Sequence, residues 1–273
     1  KIKLPLNTVT YNIQIVSETE VADLAQIRPL ILSVSVQSSI KACFEKLEEK
    51  VANSEILQEF VELELENSTD ECNCGNEPSN RDKNRYRDIL PYDSTCVPLG
   101  ESKDYISASY IRIVNSGEEY FYIATHGPLP TTIEDFWQMV WENNSNVIAM
   151  ITREMENGVV KCHHYWPVSL NKPLELKHFY VSLESYQTLQ CFIISIFIVI
   201  SQQMDTSHLV KQMQFVNWPD HGTPASADDF IKFVPYVRKS HQRGPIIAHC
   251  SASIGRTGVL LCADVVFWAV ENS

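Results

Sequence analysis

The run from Pro245 to Gly258 constrains this chain more than any other stretch. Ile246, Ile247 and Ala248 form a short apolar segment that reads as a buried strand. From Gly258 to Val270 nearly every residue is apolar, which reads as a buried helix. The loop between them begins with Cys250, runs through Ser251, Ala252, Ser253, Ile254 and Gly255, and closes with Arg256. A strand, a tight loop and a helix in that order aim successive backbone N–H groups and the positive end of a helix dipole into one hollow. A hollow of that kind binds a tetrahedral oxyanion.

The side chains at its rim suggest chemistry. A cysteine at a helix N-terminus beside a histidine, here His249, is favoured as thiolate, and a thiolate is a strong nucleophile without a separate base. Arg256 offers a planar fork that can hold two phosphate oxygens at once. The Thr257 hydroxyl can donate to the sulfur. The competing reading is a structural cysteine next to a surface arginine. It leaves the grouping of His, Cys, Gly, Arg and Thr on one strand–loop–helix without a cause.

His249-Cys250 followed by Arg256-Thr257 resembles the signature of the protein tyrosine phosphatases. Further stretches are similar to the intracellular, tyrosine-specific branch: Lys83 to Asp88, Asp104-Tyr105-Ile106, Gly127-Pro128, Lys161-Cys162 through Tyr165-Trp166-Pro167, and Trp218 to Gly222. The resemblance runs from about residue 40 to the C-terminus. It implies an N-terminal extension over 1–40, with no role legible in it, and a phosphatase domain over 41–273. The implied fold is α/β, a highly twisted mixed sheet flanked by helices on both faces, with the C-terminal helices missing. The loop after Cys250 would lie at the C-terminal end of a central strand.

The resemblance also implies site roles. Tyr86 would wall a deep cleft and pack on the substrate's phenyl ring, Asp88 would hold the substrate backbone, and Arg87 would attract acidic flanking residues. Asp220, in a loop closing over the substrate, would be the general acid, since a tyrosyl oxyanion leaves far more easily once protonated. Glu156 would hold Arg256 in position, with Lys161 beside it across the Gly158 turn; a surface ion pair is the alternative for Glu156. No metal or organic cofactor is called for. The implied partners are phosphotyrosine proteins, and no oligomeric state is legible. Cys-x5-Arg also marks dual-specificity, lipid-directed and arsenate-related enzymes, but the Tyr86 motif and the domain length favour the tyrosine-specific branch.

Bulk properties narrow the remainder. A length of 273 residues suits one large domain, and a net charge of −12 with no basic stripe argues against nucleic acid. The eight cysteines are scattered, Cys72 and Cys74 lie too close for a zinc knuckle, and a thiolate nucleophile suits a reducing, cytoplasmic setting. The longest apolar run, Cys191 to Ile200, is about half a membrane helix and rich in β-branched residues. It reads as a strand, and no membrane insertion is expected. Lys1 opens the chain without a secretory signal, which reads as a fragment or processed record.

Smaller elements follow from patterning. Tyr11 to Val16 alternates weakly, and Leu30 to Val36 reads as a possible strand. Phe44 to Leu65 reads as one helical stretch and Asn67 to Asn84 as a loop. A hairpin is expected over 105–125, a helix over Ile133 to Asn143 and a strand over Val147 to Ile151. Ser226 to Asp229 looks like a capping box opening a helix that Gly244 stops after about Gln242.

Several residues depart from the family pattern. Ser253 stands where the signature has glycine, at a cost of about 1–2 kcal/mol if the backbone there is left-handed. Ser107 replaces an asparagine and His126 a glutamine. The chain stops at Ser273, ahead of the family's glutamine-bearing loop that positions the hydrolytic water. Pro235 falls inside the last helix but one, where proline costs about 3 kcal/mol or kinks the helix. The unalternating run 191–200 is an aggregation liability if half exposed. Three readings therefore stand: a phosphatase working through phosphocysteine, a pseudo-phosphatase that binds phosphotyrosine without turnover, and a copy too damaged to fold.

Overall fold

The computed structural model describes residues 17, 19, 34–65, 70–115, 117–204 and 206–271. Tyr11 to Val16 lies outside them, as does most of the possible strand at Leu30. The part of that segment within them, Val34 to Val36, is helical. Helix α1 (Val34–Ala52) and helix α2 (Glu55–Leu65) replace the single helix expected up to Leu65. The break is at Ser54, whose φ of +60° ends the first helix without a glycine or proline to announce it. The polar stretch expected to be a loop holds a one-turn helix, α3 (Asn73–Asn76), and a 3₁₀ helix, Pro78–Lys83. Asp93 caps α3, its carboxylate accepting the Asn73 and Cys74 amides at 3.0 and 2.9 Å.

Strands β1 (Cys96–Leu99), β2 (Asp104–Asn115) and β3 (Glu118–Thr125) form an antiparallel meander, the last two being the expected hairpin. Helix α4 (Ile133–Glu142) and strand β4 (Val147–Met150) follow where the apolar pattern put them. A small hairpin, β5 (Met155–Glu156) and β6 (Val159–Val160), turns at Gly158. Next come β7 (Leu174–Glu175), β8 (Phe179–Thr188), β9 (Phe192–Ser201) and β10 (Ser207–Phe215). Helix α5 (Ala227–Ser240), strand β11 (Ile246–His249) and helix α6 (Gly255–Glu271) complete the order.

Nine strands make one mixed sheet in the order β1-β2-β3-β11-β4-β10-β9-β8-β7. Its centre is parallel: β11 pairs with β3 on one side and β4 on the other, and β4 pairs with β10. Alternation sends successive side chains to opposite faces. Ile246 and Ala248 join a core with Phe230 and Phe233 of α5 and Leu260 of α6, while Ile247 joins the second core with Phe136, Trp137 and Val140 of α4. The fold is thus the α/β sheet with helices on both faces.

Two expectations change. The apolar run at 191–200 is an interior strand, with β8 and β10 on its two edges and one core against each face, so its lack of alternation reflects double burial. Helix α6 is not buried all round, since Val259, Cys262 and Val266 face outward. Helix α5 begins as expected, with the Ser226 hydroxyl accepting the Asp229 amide at 3.2 Å, and it continues through Pro235 to Ser240. No helix among the described residues is long and apolar enough to cross a membrane.

Candidate active site

The loop 250–254 leaves the C-terminal end of β11 at the middle of the parallel region and runs directly into α6. Its carbonyls are tied back to the scaffold. The Gly127 amide donates to the Ser251 carbonyl at 3.0 Å, and His249 Nδ1 lies 3.2 Å from the Cys250 carbonyl. In a trans peptide the N–H points opposite the C=O, so these bonds turn the Ser251 and Ala252 amides the other way. The approach at Gly127 leaves no room for a side chain: a Cβ there would lie 2.8 Å from the carbonyl oxygens of both Cys250 and Lys161. Ser253 has φ +70°, the left-handed region in which glycine is at ease. Its Oγ and the Thr257 Oγ1 are buried with no hydrogen-bond partner, so the bond expected from the Thr257 hydroxyl to the Cys250 sulfur is not made.

Arg256, buried at the start of α6, is held by Glu156 from the β5–β6 hairpin. Nη1 donates to Glu156 Oε1 at 2.7 Å and Nη2 to Oε2 at 3.2 Å, a two-point grip that fixes the guanidinium plane. Nη1 also donates to the Trp218 carbonyl at 2.9 Å and Nη2 to Asp220 Oδ1 at 3.3 Å. Glu156 is itself braced by the Thr152 hydroxyl at 3.0 Å and the Arg153 amide at 3.2 Å. Burial works to raise its proton affinity, but the Arg256 hydrogen bonds and charge outweigh that and hold the carboxyl below its ordinary range.

Asp220 also meets Lys161, whose ammonium donates to Oδ2. That hydrogen bond, with the charges of Lys161, Arg256 and His221, keeps the Asp220 carboxyl below the usual carboxylate range. A cavity of about 560 Å³ opens here, with Cys250, Arg256, Asp220, Lys161, Tyr86 and Trp218 in its wall. The Tyr86 hydroxyl donates to Ser251 Oγ at 2.8 Å, because the Ser251 proton goes to the Lys161 carbonyl at 2.9 Å. Ser251, Ala252, Ile254 and Gly255 line the same cavity, whereas Ser253 lies behind it. Arg87 and Asp88 are exposed and outside the lining.

His249 lies under the floor, fully buried, with Nε2 2.9 Å from the Tyr165 hydroxyl. Burial pushes its imidazole down to about 4, so the ring is neutral near pH 7 and lends the sulfur no positive charge. Its contribution is a hydrogen bond to the loop backbone.

Sequence reading assigned no role to three parts of this site. Gly127, Ile89 and the Trp218 carbonyl each touch the loop, the cavity or Arg256. The first two sit inside or beside stretches already singled out, Gly127-Pro128 and the end of Lys83 to Asp88. The third is a backbone group, which carries no residue-type signal.

Comparison with known proteins agrees with this geometry. A family model described as protein-tyrosine phosphatase matches residues 80–273. The chain is 69% identical over 260 residues to the human (Homo sapiens) tyrosine-protein phosphatase non-receptor type 20, covering 95% of this chain and 62% of that protein. The Mus musculus protein of the same name is 61% identical over 94% of this chain and 60% of its own length. Tyrosine-protein phosphatase non-receptor type 13 of Mus musculus is 43% identical over 87% of this chain and 10% of that protein. The chain thus spans less than two thirds of the length of these relatives. With a family match over most of its length and a cysteine–arginine loop at the centre of the sheet, the chain belongs to the protein-tyrosine phosphatase family.

Proposed function

We propose that the chain hydrolyses phosphotyrosine in proteins through a phosphocysteine intermediate. The observation that carries this reading is the convergence of Cys250, the Glu156-held Arg256 and Asp220 on one cavity. The Cys250 sulfur attacks phosphorus, a P–S bond forms, and the bond from phosphorus to the tyrosyl oxygen breaks. Amides of residues 251–256 and the Arg256 guanidinium hold the phosphoryl oxygens. Asp220 gives its proton to the leaving oxygen. A water then attacks the phosphocysteine, Asp220 takes the water's proton, and sulfur leaves as thiolate with release of inorganic phosphate. Thiolate, guanidinium and carboxyl supply every role, without a metal or cofactor.

The depressed proton affinity of Asp220 in the free site fits this scheme. A bound phosphate dianion competes for Arg256 and adds negative charge beside the carboxyl, both of which raise its affinity for a proton. The acid is therefore charged with its proton by the substrate. Tyr86 forms a side wall for the phenyl ring. Arg87 and Asp88, outside the cavity, are placed to meet residues flanking the phosphotyrosine. His249 supports the loop from below. Residues 41–273 form the phosphatase domain and 1–40 an extension, and a nucleophilic thiol suits the reducing cytoplasm.

The test is phosphate release from a phosphotyrosyl peptide by the recombinant chain. Release that Cys250→Ser abolishes is expected. Tight binding of the peptide with no release above that variant would replace this reading with a pseudo-phosphatase.

A further inference from the structure

A file of buried polar groups lies beneath the floor of the site, and the scheme above uses only its last member, His249. Gln212, on β10, is 2% exposed, and its Nε2 lies 2.6 Å from the hydroxyl of Tyr165, which is wholly buried. That hydroxyl lies 2.9 Å from His249 Nε2, and His249 Nδ1 lies 3.2 Å from the Cys250 carbonyl. The direction of donation is set from the far end. A carbonyl oxygen only accepts, so Nδ1 bears the ring proton. A neutral imidazole has one N–H, so Nε2 accepts, and the Tyr165 hydroxyl is its donor. With its own proton committed, the hydroxyl takes an N–H from Gln212.

We propose that Gln212 is a positioning residue for the nucleophile: acting through Tyr165, it holds His249 in the Nδ1–H tautomer, which turns the Cys250 carbonyl away from the anion hollow and the Ser251 amide into it. The catalytic consequence rests on the phosphatase reading; the tautomer does not. Tyr165 and His249 are wholly buried and Gln212 nearly so, out of reach of bulk solvent, so each missing donor is felt by the next group. The same strand braces the other arm of the site. Two residues on and on the same face, Gln214 Nε2 donates to the Thr152 carbonyl at 3.0 Å, and the Thr152 hydroxyl donates to the Glu156 carboxylate that grips Arg256. Strand β10 then leads straight into the loop carrying Asp220. One strand therefore sets nucleophile, arginine and acid in register.

Two variants of the full chain test this. Gln212→Leu removes the donor. Gln212→Glu keeps the shape, but once ionised it only accepts, drawing the Tyr165 proton away from His249. The readouts are the ¹⁵N shifts of the His249 ring, tungstate affinity, and kcat/KM for p-nitrophenyl phosphate against pH. The parent chain is expected to show a single Nδ1–H tautomer. Gln212→Leu should show a mixture of tautomers, weaker tungstate binding and kcat/KM lower by about fivefold to tenfold, the equivalent of one buried hydrogen bond. Gln212→Glu should lose activity along a further alkaline limb, added to the one that ionisation of Asp220 gives the parent, as the introduced carboxyl ionises. If Gln212→Leu does not fold, the isosteric Glu variant carries the test alone. A lowered melting temperature with unchanged ring-nitrogen shifts, tungstate affinity and pH profile would overturn the proposal. If the parent itself turns over no substrate, the ring shifts and tungstate affinity still decide the matter, so failure of the phosphatase reading is seen separately.

Discussion

Ser253 has φ +70° in the loop after Cys250, and its buried hydroxyl makes no hydrogen bond. Both features cost stability: a Cβ in the left-handed region about 1–2 kcal/mol, and the unpaired hydroxyl something further. Ser253→Gly is therefore expected to stabilise the fold by about 1 kcal/mol after the greater freedom of glycine in the unfolded chain is deducted. Equilibrium denaturation checks this, and a destabilised variant would contradict it. His126 carries a second residue-scale consequence. It is buried edge-on to Tyr86, ring centres 5.8 Å apart, and burial with the Arg85 charge pushes its imidazole down to about 4. Both His126 and His249 are thus held below their ordinary value. A depressed folded-state value favours the neutral ring, so the stabilisation is full above about pH 6.5 and is lost as pH falls toward 4. Each histidine contributes about 3 kcal/mol to that loss. His126→Gln should shallow the fall of stability across this window by about one proton's worth of slope, measured by denaturation at stepped pH. An unchanged slope would show that His126 does not carry it.

At the scale of elements, Pro235 poses a definite question. It is buried inside α5, which continues past it to Ser240. Proline there forfeits a backbone hydrogen bond and crowds the preceding turn, at about 3 kcal/mol. Truncation to alanine gives up two buried methylenes, about 1.6 kcal/mol. Pro235→Ala is accordingly expected to stabilise by about 1 kcal/mol, the difference of those two, and a drop in melting temperature would mean that packing outweighs the helix defect. The elements differ in how legible they were. The strand–loop–helix at 245–258 could be read because its parts are contiguous and its residue types repeat a known chemical arrangement. The split at Ser54 could not, because a non-glycine residue in the left-handed region leaves no compositional mark. Helix α6 misled through its apolarity, which was taken for burial although Val259 and Val266 face outward. Double burial of β9 was also illegible, since the neighbours that cover its edges are set by topology and not by its own sequence.

For the whole molecule, the site is a product of strand order. Gln212 and Tyr165 are 47 residues apart, Tyr165 and His249 84, and Glu156 and Arg256 100. Placing β11 between β3 and β4, with β10 next, brings all of them under one loop. Periodicity names a strand but not its neighbour, so these pairings lay beyond local reading. Only the Glu156–Arg256 pair had been suggested, and by resemblance. The two cores on either face of the sheet fix the strands that fix the loop, and the loop in turn presents Cys250 to the cavity that Arg256 and Asp220 also line. The most direct measurement of this account is intact-mass analysis of the chain after mixing with a phosphotyrosyl peptide and rapid acid quench. A single phosphoryl adduct mapped to Cys250, and absent from Cys250→Ser, is the predicted result. Phosphate released with no adduct on that residue, or an adduct mapped to another side chain, would contradict it.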